Sequence, residues 1–191
     1  MHINNKFVIL ILALSFSIIT NAQKVVYSEP DRDDNKSTNY EVIGRFNKNY
    51  LIYKSYRDFH YISIYDADMK MTEKNKLSFL PDNVLSVDFL NYTDFFYLFY
   101  QYQKRNIVYN MAVKMDITGK KMAEPVELDT TYVGGWGNNK LNTVIFSDDK
   151  QKILSYKINN KSEKQHIVTS ALYNKDLTLI HKSIFAVPMP E

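Results

Sequence analysis

A short turn that recurs three times narrows the folds open to this chain more than any other feature. Tyr65-Asp66-Ala67-Asp68-Met69-Lys70 lines up with Met115-Asp116-Ile117-Thr118-Gly119-Lys120 and with Tyr173-Asn174-Lys175-Asp176-Leu177-Thr178, spaced 50 and 58 residues apart. A second landmark repeats with it: Phe46-Asn47-Lys48-Asn49, then Leu90-Asn91-Tyr92-Thr93-Asp94, then Phe146-Ser147-Asp148-Asp149. Asn and Asp bond their own backbone two residues on and tolerate left-handed backbone, so they fill turns that glycine fills elsewhere. This chain has only five glycines.

From Tyr40 onward, short apolar segments alternate with short polar breaks, and none sustains a helical period. The pattern predicts three sets of four strands: 40–46, 50–56, 59–66 and 76–80; then 84–90, 95–102, 107–115 and 125–128; then 141–147, 152–158, 166–173 and 183–187. The fourth strand ends at a proline in two sets, Pro81 and Pro188. Fifteen Tyr and eleven Phe suit half-buried pleated surfaces, although codon bias in an AT-rich genome gives the same palette. Phe95 to Tyr102 is apolar almost throughout, which predicts a strand covered on both faces. The fold class expected is all-β: about three four-stranded antiparallel meanders, in units of about 40–81, 84–128 and 141–190.

A meander of four strands has two faces and cannot bury both alone; stacking against neighbours does so. Four strands per period of about 40–50 residues is the mark of propeller blades. The chain from about Tyr40 to Pro190 resembles secreted bacterial β-propeller repeat proteins, of the TolB-like and related six- to eight-bladed kinds. The resemblance is one of architecture. The WD dipeptide, the kelch double glycine and the Asp-box are not present. Propellers close with roughly four to eight blades, so three units predict a partial or truncated propeller.

The N-terminus has the three parts of an export signal. Lys6 supplies the positive charge, Phe7 to Ile19 an apolar run, and Thr20-Asn21-Ala22 a small, polar approach to cleavage after Ala22. This run of 13 residues, broken only by Ser15 and Ser17, falls short of the roughly 20 needed to span a bilayer as a helix. The expectation is a signal peptide over 1–22, a polar lead-in over 23–39, and no transmembrane anchor once the signal is cleaved. The address implied is the periplasm, outer surface or medium of a Gram-negative bacterium. Cysteine is absent, which removes disulfides, thiolate metal sites and a cysteine nucleophile. Acids and bases are interleaved along the chain with a net charge of +3, so no basic stripe invites nucleic acid.

Chemistry is harder to find. His60, His166 and His181 lie in no ligand spacing, and Asp31-Arg32-Asp33-Asp34-Asn35 lacks the Gly and Glu of a calcium loop. Asp31, Asp66, Asp68, Asp148 and Asp149 all read as solvated turn residues. No catalytic set, metal site or cofactor site is expected. The most distinctive segment is the long connector Thr130 to Lys140, which holds the one Trp and three of the five glycines. Connectors and the turns between second and third strands share one face in a propeller. Tyr132 and Trp136, with Arg57 and Arg105 in those turns, are therefore the candidate ligand residues. Stacking on a sugar ring or a peptide side chain, with the arginines favouring an acidic partner, is the chemistry they suggest. A binding or scaffold module for protein or carbohydrate leads. The alternative is a fragment of a glycan- or peptide-active enzyme, for which Glu41, Asp88 and Glu127 are the carboxylates to locate.

Overall fold

The computed structural model describes residues 25–28, 30–32, 37–135, 140–162 and 165–188. The expected signal segment lies outside them. Among the described residues, no helix is long and apolar enough to cross a membrane. The chain is all-β, as expected. Strands β1 (Asn39–Phe46), β2 (Asn49–Tyr56), β3 (Phe59–Tyr65) and β4 (Met71–Lys76) form the first antiparallel sheet. The second is β5 (Val84–Asn91), β6 (Phe95–Lys104), β7 (Ile107–Asp116) and β8 (Val126–Tyr132), and the third is β9 (Asn142–Phe146), β10 (Lys152–Ser162), β11 (Gln165–Asn174) and β12 (Leu179–Pro188). Each sheet is a meander of sequence neighbours.

The recurring turn has one geometry in all three sheets. Asp66 Oδ1 accepts from the amides of Asp68 and Lys70 at 2.9 Å each. Asp116 Oδ1 accepts from Thr118 and Lys120 at 2.8 and 2.9 Å. Asn174 Oδ1 accepts from Asp176 and Thr178 at 3.0 and 2.8 Å. The residue three places on has left-handed backbone in each copy: Met69, Gly119 and Leu177. Gly119 is the copy that needs glycine, since a Cβ there would meet Ile62 Cγ2 of the first sheet at 2.9 Å. Asp66 and Asp116 are thus turn residues, held by side chain to backbone bonds.

All three fourth-strand boundaries need correction. Residues 77–80 are not a strand: β4 is the polar Met71-Thr72-Glu73-Lys74-Asn75-Lys76. Leu77 then turns inward, its amide donating to the His60 carbonyl at 2.9 Å, and Phe79 and Leu80 pack on the core. The reason is that β4 is an edge strand, paired on one side only, where charged residues discourage stray pairing. Apolarity marked the residues that plug the core, and the strand itself was written in Lys and Glu. β8 likewise runs on past Leu128 to Tyr132, and β12 begins earlier, at Leu179.

Packing runs in a fixed direction along the stack. Ile62 and Ile64 of the first sheet meet Val113 and Met115 of the second in one core. Ala112 of the second meets Ala171 and Tyr173 of the third in the other. Counted back from the recurring turn, positions four before (Ile62, Ala112, Ser170) form the leading face, and positions three before (Ser63, Val113, Ala171) the trailing face. β6 serves both cores, with Phe96, Leu98 and Tyr100 on one side and Tyr97 and Phe99 on the other. That two-sided burial is why its sequence lacks alternation.

Polar groups fix the stacking. Asn91 Nδ2 donates to the Ile43 carbonyl, beside a bulge where Gly44 leaves room for the amide. Gln101, 1% exposed on β6, accepts at Oε1 from the amides of Leu141 and Asn142 at 3.0 and 2.8 Å. Its Nε2 donates to the Asn142 carbonyl at 2.7 Å. The trailing face of the first sheet is covered by the lead-in. Asp31 is only 6% exposed at its side chain and meets Lys74 Nζ at 2.8 Å and Lys54 Nζ at 3.5 Å. Asp31 is therefore no solvated turn residue, but a link between the lead-in and β2 and β4.

Candidate functional site

One end of the stack gathers the turns between second and third strands together with the inter-sheet connectors. Asp58, in the β2–β3 turn, accepts from the Asn83 amide at 3.4 Å. The Asn83 carbonyl accepts from the Gln103 amide at 3.2 Å. Gln103 Nε2 donates to the carbonyls of Arg105 and Gly135, at 2.7 and 2.8 Å. The Val133 amide reaches the Asn106 carbonyl at 2.8 Å. These bonds tie the start of the Thr130–Lys140 connector to the β6–β7 turn.

Two of the expected residues come together here. A depression of about 490 Å³ is lined by Lys104, Arg105, Asn106, Ile107, Tyr109 and Tyr132. Tyr132 is 75% exposed and sits opposite Ile107 in the β7–β8 ladder. A second depression of about 380 Å³ is lined by Pro81, Asp82, Asn83, Tyr102, Gln103 and the same Lys104 and Arg105. The two cations therefore stand on the ridge between two hollows. Tyr102 and Tyr109 face each other across the hairpin and stack at 4.9 Å with 11° between planes. Burial, then neighbouring Tyr109 and Glu127, push the Tyr102 phenol up, so it stays neutral and a hydrogen-bond donor. Tyr102 and Tyr109 join the expected pair, and Lys104 stands beside Arg105 on the ridge. Tyr102 and Tyr109 were readable only as core aromatics.

Arg105 has left-handed backbone, φ 53°, and so has Arg57 in the equivalent turn of the first sheet. That conformation costs a non-glycine residue on the order of 1 kcal/mol. Arg57 does not line either depression; its guanidinium lies 5.1 Å from the centre of the Tyr56 ring. Trp136 falls outside the described residues.

The candidate carboxylates divide. Glu127 is exposed on β8. Glu41 on β1 and Asp88 on β5 lie near each other on the first strands of adjacent sheets, and Lys140 Nζ meets both Asp88 oxygens at 2.7 Å. Desolvation, then the Asp88 charge, push the Glu41 carboxyl above its usual range, while Lys140 opposes the shift. A raised carboxyl binds its proton more tightly in the folded chain, so this contribution to stability is present at acid pH and declines as pH rises through the Glu41 pKa. Asp88→Asn removes a like charge and frees Lys140 to act on Glu41, so the Glu41 pKa is expected to fall. Carboxyl-carbon NMR titration of the two proteins checks this; an unchanged Glu41 curve would show that the two groups do not interact.

Deeper in the first sheet, Tyr53 Oη and His60 Nδ1 lie 2.6 Å apart. Burial pushes the Tyr53 phenol up to about 12 and, despite Asp58, lowers His60, so the pair is neutral near pH 7. Among the described residues, no three His, Asp or Glu side chains converge as a metal site. Comparison with protein-family models, with curated proteins and with solved structures finds no match.

Proposed function

We propose that the chain is an exported, non-catalytic binding module of partial β-propeller type, which takes an acidic carbohydrate or acidic peptide segment at the Arg105–Tyr132 end. The observation that carries the reading is the pair Lys104 and Arg105 on a ridge walled by tyrosines. Guanidinium and ammonium groups recognise carboxylates by charge-assisted bonds, while exposed tyrosine gives rigid stacking area at low entropic cost. The Gln103 bonds to the Arg105 and Gly135 carbonyls hold the ridge and the connector in place before a ligand arrives.

The test is calorimetric titration of the purified protein with a tetragalacturonate, its neutral galactose counterpart and an Asp- and Tyr-containing peptide. An acidic probe should bind, and Tyr132→Ala and Arg105→Ala should each weaken it by about tenfold, the usual effect of losing one anchor at a small site. Binding that survives both substitutions would place the ligand elsewhere.

The alternative, a fragment of a glycan- or peptide-active enzyme, draws on Glu41 beside Asp88. A carboxyl whose pKa is pushed above its usual range beside a second carboxyl group suits a general acid. Hydrolysis abolished by Glu41→Gln, with folding intact, would favour that reading over simple binding.

A further inference from the structure

The one-way stack leaves an apolar face of the third sheet exposed, and its residues say what fits it. The trailing face of the first sheet carries Ser63 and Tyr65, both buried, and the Lys54 and Lys74 pair that meets Asp31. The leading faces of the first and second sheets are consumed by the two cores. The leading face of the third sheet has no neighbour among the described residues. Strand alternation puts Ile145, Leu154, Tyr156, Ile158, Val168 and Phe185 on it, opposite the inward Ile153, Ala171 and Tyr173. Ile158 is 55% and Phe185 50% exposed.

We propose that this face is a self-association surface, on which a second copy of the chain docks the same face about a two-fold axis. Three observations favour a second copy over a further sheet stacked in the same direction. In the second sheet, the ladder pair six residues before the recurring turn is Gln101 and Asn110. Those side chains grip the third sheet through the Asn142 backbone and through Ser155 Oγ, 2.9 Å from Asn110 Nδ2. The equivalent pair in the third sheet is Ile158 and Val168, which offers no bond to the first strand of an incoming sheet. The face also carries no carboxylate at its described positions, with Lys152 as the charge at its corner, so two copies meet without strong like-charge repulsion. Finally, the face at the other end of the stack sets the charged cluster of Asp31, Lys54 and Lys74 beside the exposed Tyr40 and Val42, a mixed surface that does not match this apolar face, so head-to-tail growth is disfavoured and the contact closes as a pair. Strands about 4.8 Å apart and up to about ten residues long give roughly 500–600 Å² of flat face per copy, so a pair reaches the ~1,000 Å² of a specific interface.

Sedimentation of protein expressed from the full sequence tests the proposal, over about 1 to about 100 µM, the range spanned by interfaces of modest area. The expected result is a rise from one chain to a plateau at two. Ile158→Lys with Phe185→Lys should hold the protein at one chain, with its circular dichroism and melting midpoint unchanged. A wild type that stays at one chain overturns the proposal and leaves the face to a different protein. A variant that still pairs, or a mass that climbs past two, overturns it as well. Should the double variant fail to fold, cross-linking decides: the chain has no native cysteine, so Ser170→Cys on the face should give linked pairs with a short bis-maleimide. A yield no higher than that of Lys48→Cys, on the first sheet, would refute the pairing.

Discussion

Replacing Gln101 with leucine is expected to loosen the third sheet while β1–β8 stay folded. The change keeps the side chain's bulk and removes its polar atoms. The amides of Leu141 and Asn142 and the Asn142 carbonyl then lose the partner that meets them now. Each buried backbone group left without a partner costs about 1–3 kcal/mol, so the loss should total roughly 3–5 kcal/mol after some relaxation. The remaining ties, Asn110 to Ser155, Tyr173 to the Leu128 carbonyl and Lys157 to Asp129, sit on neighbouring strands and retain a weaker contact. Native-state hydrogen exchange should show β9–β12 amides exchanging about a hundredfold faster or more, with β1–β4 amides little changed. Uniform acceleration across all three sheets would mean that the stack opens as one unit.

Phe96→Ala should be about as costly but should spread differently. Phe96 is fully buried on β6, its ring centre 5.8 Å from Phe46 and 6.1 Å from Phe89. It faces the first sheet. Truncating a buried phenylalanine costs about 3–5 kcal/mol, part of it for the cavity left behind. Because the middle sheet supports both neighbours, this loss should move the urea midpoint of the whole chain and produce no separate early transition. A destabilisation below about 1 kcal/mol would mean that the surrounding aromatics collapse into the space. Compared side by side, the two variants test whether coupling in the stack is limited to nearest neighbours.

What the sequence made legible follows from the range of the interactions. The turns at Asp66, Asp116 and Asn174 were readable because a carbonyl-type oxygen and amides two and four residues on form a closed local motif. The two-sided burial of β6 was readable from its composition. β4 was not, because an edge strand hides behind polar residues and the neighbouring Leu77, Phe79 and Leu80 imitate a strand. Asp31 looked like a turn residue because its partners, Lys54 and Lys74, lie 23 and 43 residues away. At the candidate site, Arg105 and Tyr132 meet because β7 pairs with both β6 and β8. Arg57 belongs to the first sheet and stays apart. Gln101 left a signal, a long amide in an otherwise apolar strand, but nothing in the sequence named its partner.

The meander order of each sheet also bears on how the chain reaches this structure. Every ladder joins strands adjacent in sequence, and the bonds between sheets reach back only one unit, as from Asn91 to Ile43 and from Lys150 to Asn91. Contact order is therefore low for an all-β chain, and the loop-closure entropy met at each step is small. A sheet can form once its own four strands are available and can then serve as the template for the next. A chain that emerges from its N-terminus can add each sheet to the one before it, and the open face of the earlier sheet is buried as the next arrives.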